Sequence, residues 1–230
     1  MDRILILTGA GVSAESGLGT FRDTDGLWSE YSLEDVATPE GYARDPALVH
    51  QFYNARRRNC LDAEPNPAHL AIARLEATLG EAVTVVTQNI DNLHERAGSR
   101  RVIHMHGEIM RALCASCGHS WDAPPVMGPD TACPHCGSHT ARPDVVWFGE
   151  IPYDIANIGV LLSQADLFVA LGTSGTVYPA AGFAAEAKAH GARTLELNLE
   201  ASDATPLFDE FRLGNATQIV PEWVTEILSM

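Results

Sequence analysis

The sequence predicts an α/β fold in which a parallel sheet carries helices on both faces. Short runs rich in Val, Ile and Leu at 4–7, 82–86, 166–171 and 193–199 are typical of buried strands. Helical stretches separate these runs, and small or polar residues follow them. This alternation is characteristic of a Rossmann-like sheet, which holds its ligands at the carboxyl ends of the strands.

The composition narrows the range of partners. Of the 230 residues, 46% are hydrophobic, and 30 Asp and Glu residues against 15 Lys and Arg residues give a net charge of −15. Such a chain is not expected to carry the basic face that nucleic acids require. No run approaches the roughly 20 apolar residues of a membrane span, and the first apolar run is too short for a signal peptide. We therefore expect a cytoplasmic protein that binds neither nucleic acid nor membranes.

The first strand runs directly into a Gly-rich turn. Gly9 and Gly11 begin a G-x-G-x-x-A pattern, in which glycines let backbone N–H groups approach a pyrophosphate. An ordinary strand–helix turn is the alternative. The acidic residue that dehydrogenases place about 20 residues later is missing. A polar loop at 20–28 stands there instead, and it is either a lid beside the phosphate site or a solvated connection.

Two helices then interrupt the strand pattern. Asp45 and Asn66 each precede a proline, which is the order of an N-cap and a first helical residue. The predicted helices cover 46–60 and 67–79, and Gly80 ends the second helix. We interpret them as an inserted helical module.

Polar side chains follow the strand at 82–86. The sequence Thr-Gln-Asn-Ile-Asp occupies 87–91, and a short strand at 101–104 delivers His106 to the same edge of the sheet. An amide, a carboxylate and an imidazole at one edge predict a polar small-molecule site with a general base. A purely structural histidine is the alternative for His106.

Four of the five cysteines form two C-x2-C pairs separated by fifteen residues. This spacing is typical of a zinc ion held by four thiolates, whereas a disulfide framework is the alternative. Four sulfur ligands leave no open coordination position, so the zinc is expected to be structural. The leftover Cys60 is expected in the core. The predicted ligands are Cys114, Cys117, Cys133 and Cys136.

The C-terminal half completes the sheet. The strand at 166–171 ends in a loop of small residues at 172–176 of the phosphate-binding type, and the strand at 193–199 ends in the polar residues Asn198 and Glu200. The other predicted elements are an extended run at 142–150, helices at 153–163 and 180–190, a short strand at 217–220 and a terminal helix that Pro221 begins.

These motifs together resemble the sirtuins, which are NAD-dependent protein-lysine deacylases, over nearly the whole chain. Tyr53 and Arg56 form a Tyr-x-x-Arg pattern and Ala37 is a small neighbour, so the chain is similar to the bacterial desuccinylase-like class. The matching segments are 9–13, 20–22, 87–91, 106–107, the four cysteines, 147–150, 172–174 and 197–198.

The resemblance implies NAD as cofactor, His106 as catalytic base and acylated lysine in proteins or peptides as substrate. The residues it assigns to NAD are Gly9, Ala10, Gly11, Phe21, Arg22, Gln88, Asn89, Ile90, Asp91, Gly172, Thr173, Ser174, Asn198 and Ala216. The residues it assigns to the substrate are Ala37, Tyr53, Arg56, Val146, Phe148, Gly149, Glu150, Val177 and Tyr178.

Within these sets the resemblance implies finer roles. Asn89 and Asp91 would form the nicotinamide pocket, and Phe21–Arg22 would close over the neighbouring ribose. The segment 146–150 would pair with the substrate peptide as an added strand. Acyl groups removed in this way include succinyl, malonyl and acetyl, and the products are nicotinamide and 2′-O-acyl-ADP-ribose.

Helix spacing alone leaves the acyl pocket open. Tyr53 and Arg56 are three residues apart and therefore share a helix face. Arg56 could read an acyl carboxylate, or it could lie with Arg57 and Arg58 on a solvated face. The family resemblance favours the acyl pocket.

Domain boundaries follow from the two insertions. We expect residues 1–32, 80–108 and 145–230 to form the NAD-binding domain, and the helical module at 33–79 to join the zinc-ribbon module at 109–144 in a smaller domain. A monomer is expected. A hydride-transferring dehydrogenase and a non-catalytic reader of ADP-ribose or acyl-lysine are the alternative functions.

Overall fold

The computed structural model describes residues 2–19 and 31–229. Phe21, Arg22 and the polar loop at 20–28 lie outside the described residues, so their predicted role as a lid stays a prediction.

The described part of the chain contains nine strands and nine α-helices. The strands are β1 (Ile4–Thr8), β2 (Val83–Thr87), β3 (Val102–His104), β4 (Gly107–Cys114), β5 (Ser120–Asp122), β6 (Ala141–Val145), β7 (Leu167–Leu171), β8 (Arg193–Asn198) and β9 (Glu210–Leu213). The helices are α1 (Gly11–Ala14), α2 (Leu33–Val36), α3 (Pro39–Arg44), α4 (Pro46–Asp62), α5 (Pro67–Leu79), α6 (Leu93–Ala97), α7 (Ile155–Gln164), α8 (Phe183–Ala189) and α9 (Ala216–Ser229).

Six strands form the large sheet in the order β3-β2-β1-β7-β8-β9, and every neighbouring pair is parallel. The residues of β1, β2 and β7 are all buried, as expected for strands covered on both faces. Helices α5 and α9 contribute to the hydrophobic core on one face, and α7 and α8 to the core on the other. The predicted doubly covered parallel sheet is therefore confirmed.

The inserted segments build a second, smaller core. Helix α4 starts where predicted, because the Asp45 carboxylate accepts a hydrogen bond from the Leu48 N–H at 2.9 Å. Its apolar face, including Phe52, packs with Ile109 of β4 and Trp147. Strands β5, β4 and β6 form an antiparallel sheet next to this core.

The end of the chain differs from the prediction. Residues 217–220 are helical, not a strand, and Pro221 lies inside α9 instead of starting it. Val220, Trp223 and Val224 recur at helical spacing and are buried against the sheet. Burial of this face outweighs the one backbone hydrogen bond that Pro221 cannot donate. The last strand is instead β9, which pairs with β8.

Several short elements carry no clear signal in the sequence. Helices α2, α3 and α6 and strands β4 and β5 were not predicted, and the extended run at 142–150 is a strand only as far as Val145. Within the described residues, no helix is both long and apolar enough to span a membrane.

Candidate active site

The two Gly-rich loops touch each other at the carboxyl edge of the sheet. A Cβ atom on Gly9 would lie 2.7 Å from the Gly172 carbonyl oxygen, and one on Gly172 would lie 2.6 Å from the Val12 nitrogen. Gly172 also has a φ of +60°, which side chains disfavour. The predicted role of these glycines was close approach to a pyrophosphate. The structure gives them a second role, which is packing of one loop on the other.

This loop pair presents backbone donors. Among the described residues, the N–H groups of Ala10, Thr173 and Ser174 find no hydrogen-bond acceptor. The Thr173 side chain accepts a hydrogen bond from Gln88 Nε2 at 3.0 Å, and its carbonyl oxygen accepts one from Asn198 Nδ2 at 2.9 Å. Unpaired N–H groups at adjacent Gly-rich turns suit a phosphate group, so the site fits the pyrophosphate of a dinucleotide.

Behind the loops lies a buried polar cluster. Ser13 Oγ donates to Asp91 Oδ2 at 3.0 Å and accepts from Asn89 Nδ2 at 3.2 Å. Asn89 Nδ2 also donates to the Gly9 carbonyl oxygen at 3.0 Å. Burial raises the pKa of Asp91, while the hydrogen bonds from the Leu93 N–H and Ser13 oppose that rise. The amide and carboxylate predicted at this edge are thus brought together, and Ser13 joins them.

His106 is held with one ring nitrogen available. Its Nδ1 lies 3.0 Å from the Gln88 carbonyl oxygen. A carbonyl only accepts, so Nδ1 carries the proton and Nε2 keeps its lone pair. Burial lowers the pKa of His106, and the hydrogen bond to Gln88 partly offsets that effect. The imidazole is therefore neutral at pH 7 and able to act as a base.

His104 has the structural role that was the alternative for His106. Its Nε2 lies 2.8 Å from Glu95 Oε1, and its Nδ1 lies 3.2 Å from the Asn89 carbonyl oxygen. Burial alone would lower the pKa of His104, but the Glu95 carboxylate raises it above the ordinary value. Both of its nitrogens are engaged, so it braces the edge.

The segment after β6 passes directly beside His106. The Val146 N–H donates to the His106 carbonyl oxygen at 2.9 Å, and the Phe148 N–H donates to the Ala37 carbonyl oxygen at 2.9 Å. Among the described residues, the carbonyl oxygens of Val146 and Phe148 and the N–H of Gly149 have no partner. These groups are suited to pairing with an extended peptide.

The remaining predicted residues of the substrate and NAD sites differ in their contacts and exposure. The Glu150 carboxylate binds Arg142 at 2.6 and 2.8 Å and accepts from the Trp147 N–H at 2.8 Å, so its side chain braces the segment. Tyr178 is 80% exposed, while Val177 is half-buried. Ala216, predicted for NAD, is the first residue of α9 and is half-buried.

The predicted acyl pocket lies in the small core. Ala37 and Tyr53 are buried there, and the Arg56 guanidinium carbon lies 5.8 Å from the centroid of the Phe52 ring. Burial lowers the pKa of Arg56, and the neighbouring Tyr53 side chain opposes that effect.

The three consecutive arginines of α4 do not share one solvated face, which was the alternative for Arg56. Arg57 is buried, and its guanidinium donates to the Ile109 carbonyl oxygen at 2.9 Å and to Asn54 Oδ1 at 2.9 Å. Arg58 is exposed. Consecutive arginines therefore have different surroundings, as the 100° rotation per helical residue requires.

The four predicted metal ligands meet in space. Their Sγ atoms all lie within 4.8 Å of one another, with 3.7 Å between Cys114 and Cys136 and 3.8 Å between Cys117 and Cys133. Zinc–sulfur bonds of about 2.3 Å give a tetrahedron with edges of about 3.8 Å. The donor set therefore fits one zinc ion. Cys60 is buried as predicted, and none of the five cysteines forms a disulfide.

Comparison with known proteins identifies the family. The model of the Sir2 family matches residues 9–179. The chain belongs to the Sir2 family. It is 56% identical over 231 residues to a Caulobacter vibrioides protein named NAD-dependent protein deacylase, covering 99% of this chain and 97% of that protein. A protein of the same name from Escherichia coli is 56% identical, over 98% of this chain and 82% of that protein.

Solved Sir2 structures share the fold. A Sir2 homologue in complex with NAD has a TM-score of 0.90 at 39% identity, covering 99% of this chain and 90% of that chain. A structure of Sir2 bound to an acetylated peptide has a TM-score of 0.83 at 28% identity, covering 99% of this chain and 94% of that chain. The predicted sirtuin membership and fold class are confirmed.

In this Sir2-family chain, three residues with clear structural roles received no individual role from the sequence. Ser13 lies inside the 9–13 motif, in which only Gly9, Ala10 and Gly11 received roles, and a hydroxyl two residues after Gly11 was the available signal. Trp147 and Arg142 lie in or beside the extended run, where an indole and a guanidinium give no local signal of their partners.

Proposed function

We propose that this chain removes acyl groups from protein lysine side chains in an NAD-dependent reaction. One water molecule is consumed, and the products are the free lysine, nicotinamide and 2′-O-acyl-ADP-ribose. The observation that carries the proposal is the position of the neutral His106. Its Nδ1 is held by the Gln88 carbonyl oxygen, and its own carbonyl oxygen accepts from Val146 in the segment 146–150, which is proposed to pair with the peptide. Relatives at 56% identity named NAD-dependent protein deacylase support the same activity.

The cofactor would be held by the N–H groups of Ala10, Thr173 and Ser174 and by the polar cluster around Asn89 and Asp91. When bound, NAD supplies an electrophilic ribose carbon as nicotinamide leaves. The buried cluster would orient the leaving nicotinamide through hydrogen bonds and exclude water from it.

His106 provides the base. Its Nε2 lone pair would take a proton from the ribose hydroxyl group that attacks the acyl carbon, and the Nδ1–H bond to the Gln88 carbonyl oxygen would stabilise the positive charge that develops on the ring. Because burial lowers the pKa of His106, the ring releases that proton readily and returns to its neutral form.

We infer that the acyl groups include succinyl and malonyl as well as acetyl. Tyr53 and Arg56 support this, because they lie three residues apart on α4, and a hydroxyl and a guanidinium on one helix face can bind a terminal carboxylate through charge-assisted hydrogen bonds. Acetyl lacks that carboxylate and gains nothing from the pair.

The test is kcat/KM for succinyl and acetyl forms of one peptide with Arg56→Met. We expect a loss of roughly 10- to 1000-fold on the succinyl peptide, equivalent to a lost charged hydrogen bond, and a much smaller change on the acetyl peptide. Arg58→Met is the matched control, because Arg58 is exposed on the same helix and should leave both values unchanged. Equal losses on both peptides would assign Arg56 to the fold or the cofactor.

The remaining proposals concern organisation. We propose that residues 1–32, 80–108 and 145–230 form the NAD-binding domain and that 33–79 with 109–144 form the small domain. The core that α4 shares with β4 supports the small domain, whereas α5 packs in the core of the large sheet. We also propose a cytoplasmic monomer with one structural zinc ion and no nucleic-acid partner. The net charge of −15 and the four convergent thiols support these assignments.

A further inference from the structure

Trp147 donates a hydrogen bond to the tyrosine of the acyl pocket. Its Nε1 lies 3.0 Å from the Tyr53 hydroxyl oxygen, and both side chains are buried at 3% exposure. An indole nitrogen can only donate, so the Tyr53 oxygen is the acceptor. The hydroxyl hydrogen of Tyr53 must therefore point elsewhere, and among the described residues it has no acceptor. A buried donor without an acceptor is unfavourable, and a bound ligand could supply one.

Two contacts hold the Trp147 ring in place, and a third holds its backbone. The Arg142 guanidinium carbon lies 3.4 Å from the ring centroid, and the Tyr42 ring centroid lies 5.1 Å away. Arg142 is itself fixed by two hydrogen bonds to Glu150, whose carboxylate also accepts from the Trp147 N–H. The indole is thus positioned from its face and from its backbone.

Trp147 also connects two parts of the site. Its backbone belongs to the segment whose Val146 and Phe148 carbonyl oxygens are available to a peptide, while its side chain reaches back to Tyr53 on α4. Trp147 therefore joins the segment proposed to bind the peptide to the tyrosine of the proposed acyl pocket.

We propose that Trp147 is a positioning residue for acyl selection. The Trp147 indole N–H donates to the Tyr53 hydroxyl oxygen. The hydroxyl hydrogen of Tyr53 is thereby directed to an acceptor atom of the acyl group. This favours acyl groups that end in a carboxylate over apolar ones of the same length. The inference rests on the proposed deacylase function and on the proposed acyl pocket.

The test is Trp147→Phe, which removes the N–H and keeps an aromatic ring. Succinyl and butyryl forms of one peptide are compared, because both acyl groups have four carbons and only succinyl has a carboxylate. We expect kcat/KM to fall about 3- to 15-fold for succinyl, the scale of one hydrogen bond, and to stay within about twofold for butyryl. Trp223→Phe makes the same chemical change in the core of the large sheet and should not alter the succinyl-to-butyryl ratio.

A double-mutant cycle with Tyr53→Phe separates positioning from packing. If Trp147 acts through the Tyr53 hydroxyl, Trp147→Phe should have little further effect on succinyl turnover in the Tyr53→Phe background. A full additional loss there, or equal losses on the two peptides, would overturn the proposal. So would a wild-type succinyl rate for Tyr53→Phe, because the proposed acyl pocket would then be wrong.

Peptide binding without NAD provides a readout that does not require turnover. The succinyl and butyryl peptides each carry a fluorescent label for this measurement. Relative to the wild type, we expect the Kd of the succinyl peptide to rise about 3- to 15-fold in Trp147→Phe and that of the butyryl peptide to stay within about twofold. If this shift appears in a chain without deacylase activity, the positioning role stands and the proposed function is what fails. Equal Kd values for both proteins would overturn the positioning role itself.

Discussion

Replacing Gly172 by alanine tests how the two Gly-rich loops depend on each other. The new Cβ atom would lie 2.6 Å from the Val12 nitrogen, and the backbone has a φ of +60°. The left-handed conformation costs a side chain about 1–2 kcal/mol, and moving a packed backbone adds about 1–3 kcal/mol. We therefore expect the free energy of unfolding to fall by about 2–5 kcal/mol. Because the displaced loop carries the N–H groups of Thr173 and Ser174, the KM for NAD should rise at least about 10-fold.

Gly191→Ala is the matched control for this substitution. Gly191 has a φ of +91°, but a Cβ atom there has no other atom within 4 Å. Gly191→Ala should lower the free energy of unfolding only by the cost of the left-handed conformation, about 1–2 kcal/mol, and should keep the wild-type KM for NAD. Urea denaturation and steady-state kinetics measure both effects. Equal destabilisation by the two variants, with NAD kinetics unchanged in Gly172→Ala, would refute the packing role of Gly172.

Three further predictions follow from buried or clustered groups. The kcat/KM should fall on the acid side, with an apparent pKa below 6.5, because burial lowers the pKa of His106 and protonation removes the base. A kcat/KM that rises on acidification would contradict this. Protonation of His69 alone should lower the free energy of unfolding by about 3 kcal/mol between pH 6.5 and pH 4, because burial lowers its pKa to about 4 and the unfolded chain takes up the proton first; His69→Gln should reduce the slope in denaturation experiments by that amount, while buried His94, whose pKa is also lowered, keeps part of it. Cys133→Ser should lower bound zinc, measured by atomic absorption, and the melting temperature, whereas Cys60→Ser should keep the metal; full zinc content in Cys133→Ser would exclude it as a ligand.

The central strands could be predicted because buried parallel strands depend on local composition. The runs at 4–7 and 82–86 are apolar and β-branched, and they become β1 and β2 within one or two residues. The N-caps Asp45 and Asn66 mark their helices for the same reason, since a cap and the proline after it are adjacent in sequence.

The failed predictions involve competition between local and tertiary preferences. Pro221 was predicted to start the last helix. The helix instead begins five residues earlier, at Ala216, because Val220, Trp223 and Val224 recur at helical spacing and are buried. That spacing was visible in the sequence and should have outweighed the proline, because burying a helix face stabilises the fold by more free energy than one backbone hydrogen bond does.

The site divides in the same way. The positions of His106 and Asp91 at the sheet edge could be predicted, because strand order and strand ends determine them. The partner of each polar atom could not be predicted, because Trp147 and Tyr53 are 94 residues apart. The different surroundings of Arg56 and Arg57 likewise depend on which helix face meets the small core.

The most direct test of the central claim measures nicotinamide and deacylated peptide together, with NAD, for the wild-type protein and His106→Ala. We predict equal amounts of both products from the wild type, and a loss of at least about 100-fold in His106→Ala with much of the NAD affinity retained. A change in absorbance of the reduced nicotinamide band without free nicotinamide would indicate a dehydrogenase. Binding of acyl-lysine without products, or wild-type turnover in His106→Ala, would also contradict the account.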